Sequence, residues 1–208
     1  MSRRIPDAVR IQLRRRRRLR RWAFAGLLVL ALSAVLDRFG LFRYAGDDWR
    51  NFDRQTFLVI RVADGDTLTV APVTGGPETR VRLLGIDAAE MKSASGSGGD
   101  YWAHEARHEL MSRAKGRQVL LKLDQTETRD RYKRLLAYVY LDESDNLNLA
   151  MVRDGHVYAD RRFPHGLRHA FEQAEAEARR KGRGLWKDVN MDRMPPWRRE
   201  WLTARGGR

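Results

Sequence analysis

Five runs of this chain, 56–62, 66–72, 79–86, 118–124 and 132–141, are rich in apolar, β-branched and aromatic residues, which predicts strands, and 79–86 alternates with period two. In the third run Val81, Leu83 and Gly85 share a face, leaving Arg82 on the other. Three stretches change to helical spacing. Asp100 is placed to cap a helix running to about Lys115, with Ala103, Ala106, Leu110, Met111 and Ala114 on one side and Gly116 as its stop. A short helix is expected near 147–154, ahead of Gly155. A last one near 166–181 turns Leu167, Ala170, Phe171, Ala174 and Ala178 inward and stops at Gly182. Residues 92–99 (KSASGSGG) read as a loop. The order of three strands, helix, two strands, helix, helix predicts an α+β, β-rich fold: an OB-type five-stranded β-barrel with about three packed helices.

The N-terminal quarter follows a different pattern. Trp22–Leu36 is an uncharged apolar run of 15 residues behind an arginine block. That length lies between the h-region of a signal peptide and a spanning helix. Residues 22–42 are therefore expected to be a signal anchor or a signal peptide, with 1–21 cytoplasmic and 43–54 a linker. The barrel domain follows at 55–190, and a basic Trp/Arg tail at 191–208. Positive-inside logic sends the body outward: anchored in an inner membrane with the domain extracytoplasmic, or secreted after cleavage.

Charge supports that division. The formal charge is +14, but residues 1–21 hold ten arginines against Asp7 alone, so +9 sits in the tail and +5 in the rest. A mildly basic body favours polyanionic partners without requiring them. The tail's interleaved Arg and Trp suit stacking on bases, a headgroup surface, or plain solvation. Cysteine is absent, which excludes disulfides and thiolate metal sites.

Candidate chemistry gathers at the strand ends. Asp64-Gly65-Asp66-Thr67 follows the first run, Asp87-Ala88-Ala89-Glu90 follows the third, and Asp130-Arg131-Tyr132-Lys133-Arg134 opens the fifth. Carboxylates without thiolates or paired histidines suit a hard cation, which takes oxygen ligands at about 2.3–2.6 Å and keeps water in its shell. Asp66 and Asp87 would each give a carboxylate beside the Ala88 carbonyl. Asp64 acts through water or is simply a turn former. Glu90 is placed to activate or order a water, and Arg82 and Arg134 to make charge-assisted bonds to phosphate oxygens. His104 and His108 lie one turn apart on the first helix, but no general-base Glu stands between them in the zinc-protease pattern, so they read as surface residues.

Three motifs in order, D-G-D-T, R-L-x-G-I-D-x-x-E and D-R-Y-x-R-L-x-A-Y-V-Y, followed by G-R-G-L-W at Gly182–Trp186, make residues 55–187 resemble the staphylococcal nuclease family. The resemblance implies a Ca²⁺-dependent endonuclease that hydrolyses phosphodiesters of DNA and RNA with little sequence preference. Arg82, Glu90 and Arg134 would be catalytic, and Asp66, Asp87, the Ala88 carbonyl and (through water) Asp64 would hold the metal. Tyr132, Tyr158, Arg161 and Phe163 would contact substrate. The protein is expected to be a monomer with no obligate protein partner, bound to the membrane through its N-terminal segment. Three positions depart from the family pattern: Ala89 replaces a usual proline, Lys133 a Gly or Asn, and Tyr158–Phe163 lacks the family's further tyrosines. The alternative reading is an inactive barrel that binds nucleic acid or a protein at the cell envelope.

Overall fold

A computed structural model describes residues 45–91, 99–124 and 127–206, together with Trp22 and Leu27. The chain divides into two units, Met1–Tyr44 and Ala45–Arg208. In the first, only Trp22 and Leu27 are described, and both are helical and exposed. The expected anchor at 22–42 therefore lies almost wholly outside the described residues. Among the described residues no helix is long and apolar enough to cross a membrane.

The second unit is built on a closed barrel. Its strands are β1 (Gln55–Asp64), β2 (Thr67–Pro72), β3 (Thr79–Leu83), β5 (Gln118–Lys122) and β6 (Leu135–Tyr140), in the order β1-β2-β3-β6-β5. Only β3 and β6 run parallel; the other pairs are antiparallel. The alternation read from the sequence holds in β3, where Val81 and Leu83 are buried; in β6 Leu135, Ala137 and Val139 are. In β1 the phase slips. A register shift between Val59 and Arg61 inserts one residue, so Val59 and Val62, three apart, both reach the core.

Helices close the barrel: α1 (Ala45–Phe52), α2 (Ala103–Ala114), α3 (Leu147–Arg153), α4 (Arg168–Arg180) and α5 (Pro196–Gly206). The expected first helix begins three residues after Asp100, and its N-cap is Trp102 at φ 71 with no side-chain cap. Asp100 does not cap it; its carbonyl accepts the Ala103 N–H at 3.0 Å instead. The α2 stripe of Ala103, Ala106, Leu110 and Ala114 is fully buried, and small residues there bring the helix close to the barrel. A Cβ at Gly65 would lie 2.6 Å from Ala106 Cβ and 2.8 Å from Ala88 Cβ, so glycine is required at this turn. His104 and His108 are exposed, as read.

Two segments differ from expectation. Of residues 43–54, expected as a linker, those from 45 on belong to the fold: α1 packs Phe52 on Phe57, and Asp48 accepts from Thr128 Oγ1 at 2.6 Å and Arg129 Nη2 at 2.8 Å. Residues 191–206 are not a solvated tail either. The chain turns at Met191–Arg193 into α5, whose Arg198 is 2 % exposed and ion-paired to Glu175 on α4. A bidentate, sealed pair of this kind holds a segment down in a way composition alone does not announce.

Candidate active site

A cleft of about 610 Å³ opens on one side of the barrel, lined by residues 82–87 and Glu90, the 127–134 turn and residues 160–165. Here β4 (Ile86–Asp87) pairs with β7 (Tyr158–Ala159), with Asp87 opposite Tyr158. The buried Asn148 amide sets this end of the barrel. It accepts from Val139 N at 2.9 Å and donates to the carbonyls of Leu84 at 2.9 Å and Ala137 at 3.2 Å. Gly85 follows at φ +77, and a side chain there would collide with the His165 ring.

Arg82 leaves β3 on the face opposite Val81 and is only 14 % exposed. Its guanidinium bridges two carboxylates, with Nη1 ion-paired to Asp66 Oδ2 and Nη2 2.9 Å from Asp87 Oδ1. Asp66 is buried; it also accepts from Ala88 N at 2.8 Å and from Thr67 Oγ1 at 2.9 Å. Arg134 joins the same chain: its Nη1 donates to Thr67 Oγ1 at 3.1 Å and its Nε to Asp130 Oδ2 at 2.7 Å. Burial lowers the Arg82 guanidinium from its ordinary value, with Asp87 opposing.

Lys133 sits at φ 63, the left-handed conformation that its usual Gly or Asn adopts without strain. Asp130 Oδ1 accepts the backbone N–H groups of Tyr132 and Arg134, both at 2.9 Å, and closes the turn. Asp64 shows its turn role, its Oδ1 accepting Asp66 N at 3.2 Å. Glu90 is exposed on the cleft wall. Desolvation, and then the negative charges of Asp64 and Asp87, raise its carboxyl above the ordinary carboxylate value, while Arg82 and Arg134 pull the other way.

The expected substrate contacts divide. Tyr132 and Phe163 stand exposed at the cleft, 61 % and 59 %, with Arg131 and Arg134 over the Tyr132 ring and Arg162 near Phe163. Tyr158 is corrected: it is 2 % exposed, edge-on to Trp186, and has no face to offer a base. Arg161 is corrected too. It points away from the cleft to Glu175 at 2.8 Å and stacks on Trp201 at 4.2 Å. Its neighbour Arg162 takes the cleft position, donating to Asp87 Oδ1 at 2.7 Å and to Asp160. Thr67, Asp130 and Trp197 were not singled out for these roles. The first two lie within the motifs, whereas Trp197, which donates to Asp87 Oδ2 at 2.8 Å, carried no signal beyond the Arg/Trp composition of the tail.

The cleft lining holds five arginines (82, 129, 131, 134, 162) against five carboxylates (Asp87, Glu90, Glu127, Asp130, Asp160), so its formal charges cancel. Among the described residues no three His, Asp or Glu side chains form a ready cation cage. Yet Asp66 Oδ2 and Asp87 Oδ1 converge on one cationic group, Arg82, and the like charges of Asp64, Asp87 and Glu90 oppose one another. An all-oxygen set with two converging carboxylates fits a hard divalent cation that retains water.

The profile of the family described as staphylococcal nuclease homologue matches residues 80–188. A Haemophilus influenzae protein named "Uncharacterized endonuclease" is 34% identical over 148 residues, 71% of this chain and 75% of its own length. The "Thermonuclease" of Staphylococcus intermedius is 33% identical over 170 residues, 78% of this chain and 96% of its own. A "Micrococcal nuclease" of Shigella flexneri is 33% identical over 159 residues, 73% and 83% respectively. With the five-stranded barrel, the DGDT turn and the arginine–carboxylate chain in one cleft, this chain belongs to the staphylococcal nuclease family.

Proposed function

We propose that the protein is an endonuclease that hydrolyses phosphodiester bonds in DNA and RNA, with Ca²⁺ as cofactor and little sequence preference. The observation that carries this reading is the chain Asp87–Arg82–Asp66–Thr67–Arg134, which aims two guanidinium groups into a cleft flanked by exposed aromatics. Asp66 and Asp87 would hold the cation with the Ala88 carbonyl, and Asp64 through water. When bound, the cation neutralises phosphate charge as a Lewis acid.

The chain's own groups supply the rest. Arg82 and Arg134 donate to non-bridging phosphate oxygens, and their bonds strengthen as charge builds on phosphorus. Glu90, whose carboxyl desolvation holds above the ordinary carboxylate value, takes a proton from the attacking water. One P–O ester bond breaks as the new P–O bond forms, and the leaving oxygen is protonated from solvent. Tyr132 and Phe163 stack on flanking bases, which favours single strands because only unpaired bases expose both faces. Residues 22–42 would tether the domain outside the inner membrane or export it, and the domain acts as a monomer.

The test uses the full-length chain with single-stranded DNA and RNA, with Ca²⁺ or chelator, beside Glu90→Gln and Arg134→Ala. Ca²⁺-dependent cleavage lost in both variants is expected. Binding without cleavage under any divalent cation would favour the inactive-barrel alternative.

A further inference from the structure

Asp87 is held from three directions, and one of them lies outside the family-matched residues. Arg82 and Arg162 share Oδ1, while Oδ2 accepts the Trp197 indole N–H at 2.8 Å across 110 positions of sequence. The match to the family profile ends at residue 188. Trp197 belongs to α5, whose next residue, Arg198, is 2 % exposed and clamps both oxygens of Glu175 at 2.6 and 2.8 Å. Glu175 in turn accepts Ala159 N at 3.0 Å, on the strand that pairs with Asp87. Two consecutive residues thus tie α5 to the same carboxylate strand, one through α4 and β7 and the other directly.

The Trp197 ring is fixed as well. The Arg162 guanidinium lies 4.6 Å from its centroid, and Tyr158 meets it edge-on at 6.5 Å. A lone indole N–H on a surface carboxylate would be incidental; one held by a buried ion pair at the next residue is preorganised.

We propose that α5 completes the cation site, with Trp197 as a positioning residue: its N–H occupies Asp87 Oδ2, so that Oδ1, the oxygen that meets Arg82 and Arg162 here, is the one a cation would take in their place. This rests on the reading of Asp66 and Asp87 as ligands of a hard cation. Hydrogen bonds to a ligand's far oxygen orient it and tune affinity, and their removal commonly weakens metal binding about 10–100-fold.

The test is Trp197→Phe in the full-length chain, which keeps an aromatic ring in the packing and removes the N–H donor. Ca²⁺ affinity is measured by calorimetry with no substrate present. The ¹⁵N–¹H resonance of the Trp197 indole is followed during a Ca²⁺ titration of the wild type. The inference expects at least about a tenfold rise in Kd for the variant. It also expects a shift of the indole resonance that saturates with Ca²⁺ binding, and a Ca²⁺-free thermal midpoint within about 4 °C of wild type. Equal Kd in both proteins, or an indole resonance indifferent to Ca²⁺, overturns the inference and leaves the metal reading standing. A wild type that binds no Ca²⁺ overturns both. A variant whose weaker binding comes with a collapsed Ca²⁺-free midpoint makes Trp197 a packing residue and overturns the positioning role.

Discussion

Two arginine–carboxylate clusters stand on either side of residues 158–162, built from the same chemistry and placed for opposite ends. In one, Arg82 bridges Asp66 and Asp87 at the wall of a cleft, 14 % exposed and linked through Thr67 to Arg134. In the other, Arg198 grips Glu175 with both partners 2 % exposed, sealed by Tyr158, Trp186 and α4. In the first, each terminal nitrogen of Arg82 meets its own carboxylate, and the cleft gives an opening through which another anion can compete. The second shares one carboxylate between Arg198, Arg161 and a backbone N–H; a hollow of about 460 Å³ lies over it, lined by Arg161, Arg179, Arg180 and Trp201, but the Arg198–Glu175 pair beneath is 2 % exposed. Burial therefore decides which pair is chemistry and which is scaffold: a guanidinium that a phosphate can reach is a binding group, and one it cannot reach is a clamp.

Replacing the arginine in each cluster separates the roles most sharply. Arg82→Lys keeps the charge but loses the fork that spans two carboxylates, and cleavage of single-stranded DNA is expected to fall about 10²–10³-fold. Its thermal midpoint should move by only about 2–4 °C. Arg198→Ala should do the reverse. Glu175 would keep Arg161 and Ala159 N but lose its bidentate partner, for a loss of about 3 kcal/mol, or roughly 6–12 °C in the midpoint. A large stability loss in Arg82→Lys with retained turnover would erase the distinction.

Most of the first cluster was legible in the sequence and little of the second. Period-two alternation placed Arg82 opposite Val81 and Leu83, and the motifs named Asp66, Asp87, Glu90 and Arg134 before their distances were known. The slip in β1 at Ile60 was not legible, because a bulge depends on the partner strand rather than on the strand itself. The Tyr158–Arg162 segment failed for a related reason. β7 is two residues long and both are buried, so no alternation exists from which to tell that Arg161 faces α4 and Arg162 the cleft. The tail failed because its order comes from one buried carboxylate on α4, some 23 positions away, that reads in sequence as one more glutamate on a helix.

Stacking gives the next effect down. Tyr132→Ala and Phe163→Ala each remove an exposed ring at the cleft, and each should weaken binding of a single-stranded oligonucleotide by about 1–3 kcal/mol, with the midpoint unchanged. Tyr158→Ala would also lower apparent affinity, but only by unfolding the packing beneath α5, visible as a lower midpoint. Fluorescence anisotropy beside a thermal melt distinguishes them.

Acid should weaken the fold independently of either cluster. Burial lowers the His156 and His165 imidazoles from the ordinary value, so the folded state holds them neutral. The unfolded chain protonates near about 6.5. Their contribution to stability is thus complete above that pH and declines as pH falls through it toward the depressed folded values. The midpoint of the wild type should fall between pH 7 and 5, and His156→Leu should flatten that slope. An unchanged slope would assign the acid sensitivity to the carboxylates of the two clusters instead.

The smallest effect tests how firmly the active cluster is aimed. Lys133 holds φ 63 at a cost of about 1 kcal/mol relative to glycine, so Lys133→Gly should raise the midpoint by about 2–4 °C. If Asp130 alone aims Arg134, through its 2.9 Å bond to the Arg134 N–H and its 2.7 Å bond to Nε, turnover should stay as it is while stability rises. A rise in turnover along with stability would mean that the strained lysine transmits its distortion to Arg134. The open cluster would then share a property with the sealed one: the backbone that carries its arginine, not only the partners around it, would set how well it works.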